Sequence, residues 1–140
     1  MIEIDNRTKT AIDSNIIEKI ANSLTDKDIE LLIVDKNTIQ QLNATYRNKN
    51  APTDVLSFPL AQTPGSMLGS IVICADVAES VAKRYGHTLQ EEIALLFLHG
   101  LLHLLGFDHE IDQGQMRQKE QEIIEKFNLP TSLIVRTDDE

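Results

Sequence analysis

The length, composition and charge of this chain exclude several classes of protein before any motif is considered. Its 140 residues are enough for one ordinary domain, and we expect residues 1–140 to form a single one. A hydrophobic fraction of 41% and a charged fraction of 25% are those of a globular protein, which excludes a disordered or fibrous chain. The formal net charge of −9 argues against a general nucleic-acid binder with a broad basic face.

The sequence also predicts the location of the protein and the state of its single cysteine. No apolar run approaches the roughly 20 residues that span a bilayer, and the first residues do not follow the signal-peptide pattern. We therefore expect no membrane association and a cytoplasmic location. Cys74 cannot form a disulfide within the chain, and its apolar neighbours favour a small buried hydrophobe over a reactive thiol.

The first half of the chain predicts two strands, each followed by a helix. The strands are indicated by alternating or β-branched apolar residues, and the helices by apolar residues at helical spacing after a capping side chain. In chain order we expect a strand over residues 2–5, a helix capped by Asp13 or Ser14, a strand over residues 29–34, and a helix capped by Asp35 or Asn37. The polar segment 47–52 ends in a proline and predicts a loop.

The middle of the chain predicts a β-hairpin. Residues 54–58 and 67–74 have the pattern of strands, and residues 62–66 have the turn chemistry that can join them. Pro59 cannot donate to a strand ladder, so we expect it at a sheet edge or at the end of a strand.

The second half predicts helices. A first helix, with Val77, Ala78, Val81 and Tyr85 on one face, should end at Gly86. Residues 88–91 (TLQE) form a capping box, which engages Glu91 and opens a helix that is apolar on most sides and therefore central and buried. A last helix is expected from about residue 112 to 127. The predicted fold is α+β, with a small mixed sheet of about four strands packed with about five helices.

Three of the four histidines lie in one segment, HGLLHLLGFDH, at residues 99–109. His99 and His103 are one helical turn apart on one face, and Gly106 lets the chain turn so that His109 returns to the same point. Three imidazoles occupy three positions of tetrahedral zinc and leave the fourth for water, as in catalytic sites. We therefore predict one Zn²⁺ ion bound by His99, His103 and His109 at the end of the central helix, although other divalent ions also suit imidazole.

The histidine spacing is that of the metzincin peptidases, H-E-x-x-H-x-x-G-x-x-H, with one difference. Gly100 stands where those enzymes have the glutamate that acts as general base. Asp108 is a candidate either for that base or for orienting an imidazole. His87, next to the capping box, is expected to be structural or on the surface.

Two short basic segments could meet an anionic partner on this acidic chain. Arg47 and Lys49 form the more concentrated one, and Lys83 with Arg84 form the second. For either pair alone, an ordinary solvated surface is the favoured interpretation.

Several segments together resemble one family, the YbeY endoribonucleases, which are also described as ribosomal-RNA maturation factors. The segments are the histidine motif at residues 99–109, LNATYR at 42–47, PTDVLSFP at 52–59, LGSIVIC at 68–74, and Met116 with Glu120 in the last helix. The chain departs from the family pattern at Ser70, where many members have an acidic residue.

The resemblance implies a zinc-dependent, single-strand-specific endoribonuclease. It would act in ribosomal-RNA processing, at the 3′ end of the small-subunit RNA, and in ribosome quality control, with the ribosome or ribosomal proteins as further partners. The arginine of the family falls on Arg47, a catalytic candidate whose guanidinium can hold a phosphate. A zinc metallopeptidase-like hydrolase and a non-catalytic, zinc-stabilised ribosome-binding factor remain as alternatives.

Overall fold

The protein is built on a four-stranded mixed sheet, described by a computed structural model for residues 2–60, 66–108 and 110–130. The elements in chain order are β1 (Ile2–Asn6), α1 (Ser14–Leu24), β2 (Ile29–Val34), α2 (Lys36–Arg47), β3 (Val55–Pro59), β4 (Gly69–Cys74), α3 (Ala75–Tyr85), α4 (Leu89–Leu104) and α5 (Gln115–Phe127). Four strands and five helices confirm the predicted α+β fold.

The order of strands in the sheet is β1-β2-β4-β3. The first three of these pair in parallel, while β3 pairs antiparallel with β4 as the predicted hairpin and lies at the edge. Pro59 is the last residue of this edge strand, where its missing N–H costs no ladder bond. Most of the turn expected at residues 62–66 lies outside the described residues.

Both faces of the sheet are covered, although unequally. One face packs against α1 and α4 in the main core, where Ile29, Leu31 and Ile33 alternate along β2 as a buried row. The other face carries a smaller cluster that includes Cys74 and Ile39 of α2. Cys74 is fully buried, as its apolar neighbours predicted.

The helix starts follow the predicted capping chemistry. The carboxylate of Asp13 accepts from the Asn15 N–H, and that of Asp35 accepts from the Thr38 N–H, which settles both capping alternatives. Thr88 and Glu91 form the expected capping box at the start of α4. The described helices include none that is both long enough and apolar enough to cross a bilayer.

The predicted start of α5 was wrong by three residues. Asp112 lies before the helix, where its carboxylate accepts from the N–H groups of Gly114 (2.8 Å) and Met116 (2.9 Å). Gly114 has a φ of 102°, a left-handed conformation that a helix interior does not allow. The helix therefore begins at Gln115.

Candidate metal centre

The centre is built on the C-terminal part of α4. Most of this helix is buried in the core, while His99 and His103 are partly exposed and lie one turn apart on the same face. Their Nε2 atoms are 3.2 Å apart, and the two rings meet edge to face with centroids separated by 4.7 Å. The helix thus brings two of the three predicted ligands together.

The other nitrogen of each ring faces an oxygen acceptor. His99 Nδ1 lies 3.2 Å from Oε2 of Glu120, and His103 Nδ1 lies 3.1 Å from the carbonyl oxygen of Phe107. Because neither a carboxylate nor a carbonyl can donate, each Nδ1 carries the proton and donates it. In the neutral form of each ring Nε2 is then the unprotonated nitrogen, and the two Nε2 atoms face each other.

This arrangement fits a tetrahedral cation. Two lone pairs at 3.2 Å repel each other unless a positive charge lies between them. Ligand nitrogens at about 2.0–2.1 Å from zinc and at tetrahedral angles are about 3.3 Å apart. His99 and His103 therefore have the separation of two zinc ligands, with Nδ1 partners of the kind that orient histidine ligands.

The third predicted ligand, His109, lies outside the described residues. Without it, the part of the chain that the structure describes brings no group of three His, Cys, Asp or Glu side chains together for a metal ion. The role of His109 therefore remains a prediction from its spacing.

Gly106 positions the acceptor of His103. Its φ of 98° is the left-handed conformation expected for it, and it reverses the chain directly after α4. The Gly106 N–H donates to the carbonyl of His103, and the Phe107 N–H donates to that of Leu102, both at 3.0 Å. This turn returns the Phe107 carbonyl to the His103 ring.

Glu120 positions His99 from a different helix. It is 0% exposed on the buried face of α5, between Met116 and Ile124 at intervals of four residues. From the sequence, Glu120 was matched to a helix of the family but was assigned no function. The signal was present in the pattern, because an acidic residue at an apolar helix position needs a buried partner.

Arg47 is anchored beside these histidines. It ends α2, where Asn48 turns the chain with a φ of 59°, and its Nη2 donates to the carbonyl of Ser57 on β3. The Ser57 hydroxyl in turn donates to the carbonyl of Gly100 on α4, at 3.1 Å. The edge strand therefore connects Arg47 to the residue next to His99.

A cleft of about 700 Å³ unites Arg47 with His99 and His103. The residues lining it also include Lys49 from the loop after α2, Asp54 and Val55 at the start of β3, and Val81, Arg84 and Tyr85 from α3. Both predicted basic segments thus contribute to one cleft, although Lys83 pairs with Glu79 at 3.5 Å instead.

The face expected for α3 needs a correction. The helix buries Ala75, Ala78 and Ala82, which are small enough for close packing. Val81 and Tyr85, predicted to share the face of Ala78, line the cleft, and Tyr85 keeps 39% of its surface exposed.

Asp54 is a cleft residue that the sequence analysis did not single out. Burial raises the pKa of its carboxyl group above the ordinary value, and the negative charge of Glu92 adds to that effect. Backbone hydrogen bonds act in the opposite direction, and so would a protonated His99. The available signal in the sequence was an acidic residue directly before a predicted strand. The sequence alone does not reveal that this carboxyl group is buried.

Three other candidates have contacts outside the pair of facing imidazoles. His87 is structural, with Nε2 at 2.6 Å from Oε1 of the buried Glu92. Asp108 accepts from the Glu110 N–H at 3.0 Å and so stabilises a turn, while Glu120 and the Phe107 carbonyl orient His99 and His103. Ser70 donates to Glu30 at 2.9 Å.

Ser70 is not among the described residues that line the cleft. Side chains alternate along β4, and the next residue, Ile71, reaches toward Gly100 of α4. Ser70 therefore points to the opposite face of the sheet, the face on which Ile39 of α2 packs.

Gly100, which stands where the metzincin peptidases have a glutamate, is closely packed against the sheet. A Cβ atom added there would lie 3.0 Å from Cγ2 of Ile71 and 3.0 Å from Oγ of Ser57. A longer side chain would therefore have to enter the packed contact between α4 and the sheet. The glycine itself offers no general base, and a side chain added there would require Ile71 or Ser57 to shift.

Comparisons with known proteins identify the family and agree with the fold. The family model described as endoribonuclease YbeY matches residues 2–128. Proteins named Endoribonuclease YbeY from Nautilia profundicola and Helicobacter pylori (strain 26695) are 59% and 54% identical, each over 99% of this chain and 100% of their own length. The solution structure of TM1509 from Thermotoga maritima superposes with a TM-score of 0.63 at 28% identity, covering 90% of this chain and 88% of that one. The chain therefore belongs to the endoribonuclease YbeY family.

Proposed function

We propose that this chain is a metal-dependent endoribonuclease that cleaves single-stranded RNA. The observation that carries the proposal is the pair of Nε2 atoms of His99 and His103, 3.2 Å apart, in the same cleft as Arg47. The relatives named as endoribonucleases support the choice of RNA over other phosphodiesters.

The metal in this proposal is one zinc ion, held by His99 and His103 and, through its spacing, by His109. When bound, zinc supplies Lewis-acid activation of a phosphoryl oxygen and of water. Glu120 and the Phe107 carbonyl keep the two imidazoles in the tautomer that a metal needs, because each accepts the Nδ1 proton.

Arg47 holds the phosphate that is to be cleaved. One of the five N–H groups of its guanidinium is engaged by the Ser57 carbonyl, which fixes the side chain over β3. Its remaining donors can bind two phosphate oxygens in parallel and neutralise the charge that develops on them. Because its anchor is itself bonded to Gly100, the guanidinium is held in register with His99.

The biological setting of the proposal rests on the family resemblance. We place the activity in the cytoplasm, in ribosomal-RNA processing at the 3′ end of the small-subunit RNA and in ribosome quality control. A net charge of −9 opposes tight binding of RNA by the isolated chain, so ribosomal proteins would add affinity.

The peptidase alternative loses support because Gly100 stands where that mechanism needs a glutamate, and its close contacts with Ile71 and Ser57 disfavour a longer side chain. The non-catalytic alternative makes a different prediction, about stability. If the metal served mainly to hold the fold together, the metal-free protein would melt far below the metal-bound one.

The decisive experiment measures cleavage of a single-stranded RNA that carries the small-subunit 3′ sequence. Wild type is compared with Arg47→Ala and His103→Ala, and the metal content of each protein is measured. Arg7→Ala is a matched control, because this exposed arginine pairs with Asp5 rather than with cleft residues.

We expect wild type and Arg7→Ala to cut, His103→Ala to lose metal and cutting together, and Arg47→Ala to keep the metal while losing at least about 100-fold in rate. A wild-type protein that holds its metal and cuts no RNA would contradict the proposal and favour the non-catalytic alternative. Cutting that survives complete removal of the metal would contradict it as well.

A further inference from the structure

The C-terminal end of α3 brings a second arginine and an aromatic ring into the cleft. Arg84 and Tyr85 both line it, together with Val81 one turn earlier. The Arg84 Cζ atom lies 5.3 Å from the centroid of the Tyr85 ring, within the range of a cation–π contact. The functions assigned above to the histidines and Arg47 do not use these two residues.

The surrounding structure holds Tyr85 in this position. Gly86 ends the helix with a φ of 75°, directly after Tyr85. The imidazole of His87 lies nearly parallel to the tyrosine ring, with 12° between the planes and 6.4 Å between centroids. His87 is itself fixed by its 2.6 Å contact with Glu92. Tyr85 thus has His87 and Arg84 as ring neighbours, while 39% of the residue is exposed.

The charge of the cleft is opposite to that of the whole protein. Among the described lining residues, Arg47, Lys49 and Arg84 are cationic and Asp54 is the acidic one, whereas the chain carries a net charge of −9. The two arginines reach the cleft from different helices, α2 and α3. Two separate cationic points suit a ligand with more than one phosphate.

We propose that Arg84 and Tyr85 form a second nucleotide subsite, in which Arg84 binds a phosphate next to the scissile one and Tyr85 stacks on the unpaired base of that nucleotide. This inference rests on the proposed function and deepens it, because it gives the cleft a means to select single strands. A base can stack on a protein ring only after it leaves its duplex, and every base offers the face that stacking needs.

The phosphate contact is tested by comparing Arg84→Gln with Lys83→Gln. The two substitutions remove the same charge from adjacent residues, but Lys83 is 78% exposed and pairs with Glu79. The probe is a fluorescent 2′-O-methyl RNA single strand of about 10 nucleotides, which resists cleavage, and anisotropy gives its Kd at several salt concentrations.

We expect Arg84→Gln to raise the Kd about 3- to 10-fold and to lower the slope of log Kd against log salt by about 1, and Lys83→Gln to change the Kd less than about 2-fold. Equal effects of the two substitutions would show a general charge effect and overturn the subsite.

The stacking contact is tested with Tyr85→Leu and Tyr85→Phe. We expect Tyr85→Leu to raise the Kd for the single strand about 5-fold or more, and Tyr85→Phe to leave it unchanged because the ring remains. Neither substitution should change the binding of the same sequence as a duplex. A Tyr85→Leu protein that binds the single strand like wild type would overturn the stacking.

The binding readout separates failure of this inference from failure of the proposed function. A wild type that binds the probe with the expected losses in the variants, yet cuts no RNA, overturns the endoribonuclease function and supports the subsite. A wild type that cuts RNA, with Arg84 and Tyr85 variants that bind and cut equally well, overturns the subsite alone. Melting temperatures of all variants confirm that each is folded.

Discussion

Two buried histidine–glutamate pairs lie at the two ends of α4, and they differ in which ring nitrogen they use. His87 contacts Glu92 through Nε2 at 2.6 Å, and His99 contacts Glu120 through Nδ1 at 3.2 Å. Both glutamates are 0% exposed and both imidazoles are largely buried. In the first pair the tip of the ring is engaged inside the protein, whereas in the second it points toward His103.

The difference comes from the element that supplies each glutamate. Glu92 lies on the first turn of α4, five residues after His87, and meets the tip of that ring. Glu120 comes from α5, 21 residues from His99, and reaches the nitrogen nearer the backbone. The same pair of residue types therefore forms a structural contact at one end of the helix, and at the other it orients an imidazole whose Nε2 faces His103.

The largest expected effect, on metal binding and RNA cleavage, comes from replacing His99 in the pair with Glu120. His99→Ala should abolish metal binding and reduce RNA cleavage by at least about 1,000-fold, because a catalytic site loses a ligand. Metal content and cleavage rate measure this. His87→Ala is the matched control and should keep its metal. Equal loss of metal from both variants would contradict the distinction between the two pairs.

Breaking the first pair should instead reduce stability. His87→Ala removes a partner from a fully buried carboxyl group, so we expect the free energy of unfolding to fall by about 2–3 kcal/mol. Urea unfolding monitored by circular dichroism gives this value. Unchanged stability would mean that Glu92 finds equivalent contacts without the imidazole.

The metal affinity should depend on Glu120 by a smaller factor. Glu120→Gln keeps the shape of the side chain but removes the charge that strengthens the Nδ1 hydrogen bond of His99, so metal affinity should fall about 10- to 100-fold. Competition with a chromogenic chelator measures it. Glu122→Gln on the same helix, at an exposed position, is the control and should bind metal like wild type.

The smallest expected effect is a change in how stability depends on pH when Asp54 is replaced. The pKa of its carboxyl group is influenced by one residue from each pair, Glu92 and His99. Its pKa is raised mainly by burial, so the folded protein holds this proton more tightly than the unfolded chain. The contribution of Asp54 to the free energy of unfolding is therefore greatest below the ordinary aspartate pKa and decreases as pH rises through the raised one.

The measurement compares the unfolding of Asp54→Asn and wild type across that pH range. It uses metal-free protein, because a bound cation would itself stabilise the carboxylate. Relative to wild type, the variant should become more stable as pH rises. Asp26→Asn, at an exposed position, is the control. A stability difference that does not change with pH would contradict the raised pKa.

The sequence predicted local features well because their causes are local. Asp13, Asp35 and the Thr88–Glu91 box were identified as caps because a side chain reaches backbone N–H groups two or three residues away. Asp112 shows the limit of such reasoning. It was predicted to begin the helix, but it lies two residues before the N-cap Gly114 and accepts from the N–H groups of Gly114 and Met116.

The site was predictable only where its parts are close in sequence. His99 and His103 share a face because a helix has 3.6 residues per turn, and their spacing required no knowledge of the rest of the fold. Arg47 was singled out as a basic residue and by resemblance, but its anchor on Ser57 depends on β3 lying at the sheet edge.

By itself, therefore, the sequence determined the elements, their caps, the buried character of α4 and the two facing imidazoles. The tertiary structure decided which glutamate holds which imidazole, that Asp54 is desolvated, and that Arg47 and Arg84 line one cleft. The physical reason is range. Capping and helical periodicity act within a few residues, whereas burial and convergence depend on strand order and helix packing between segments far apart in the chain.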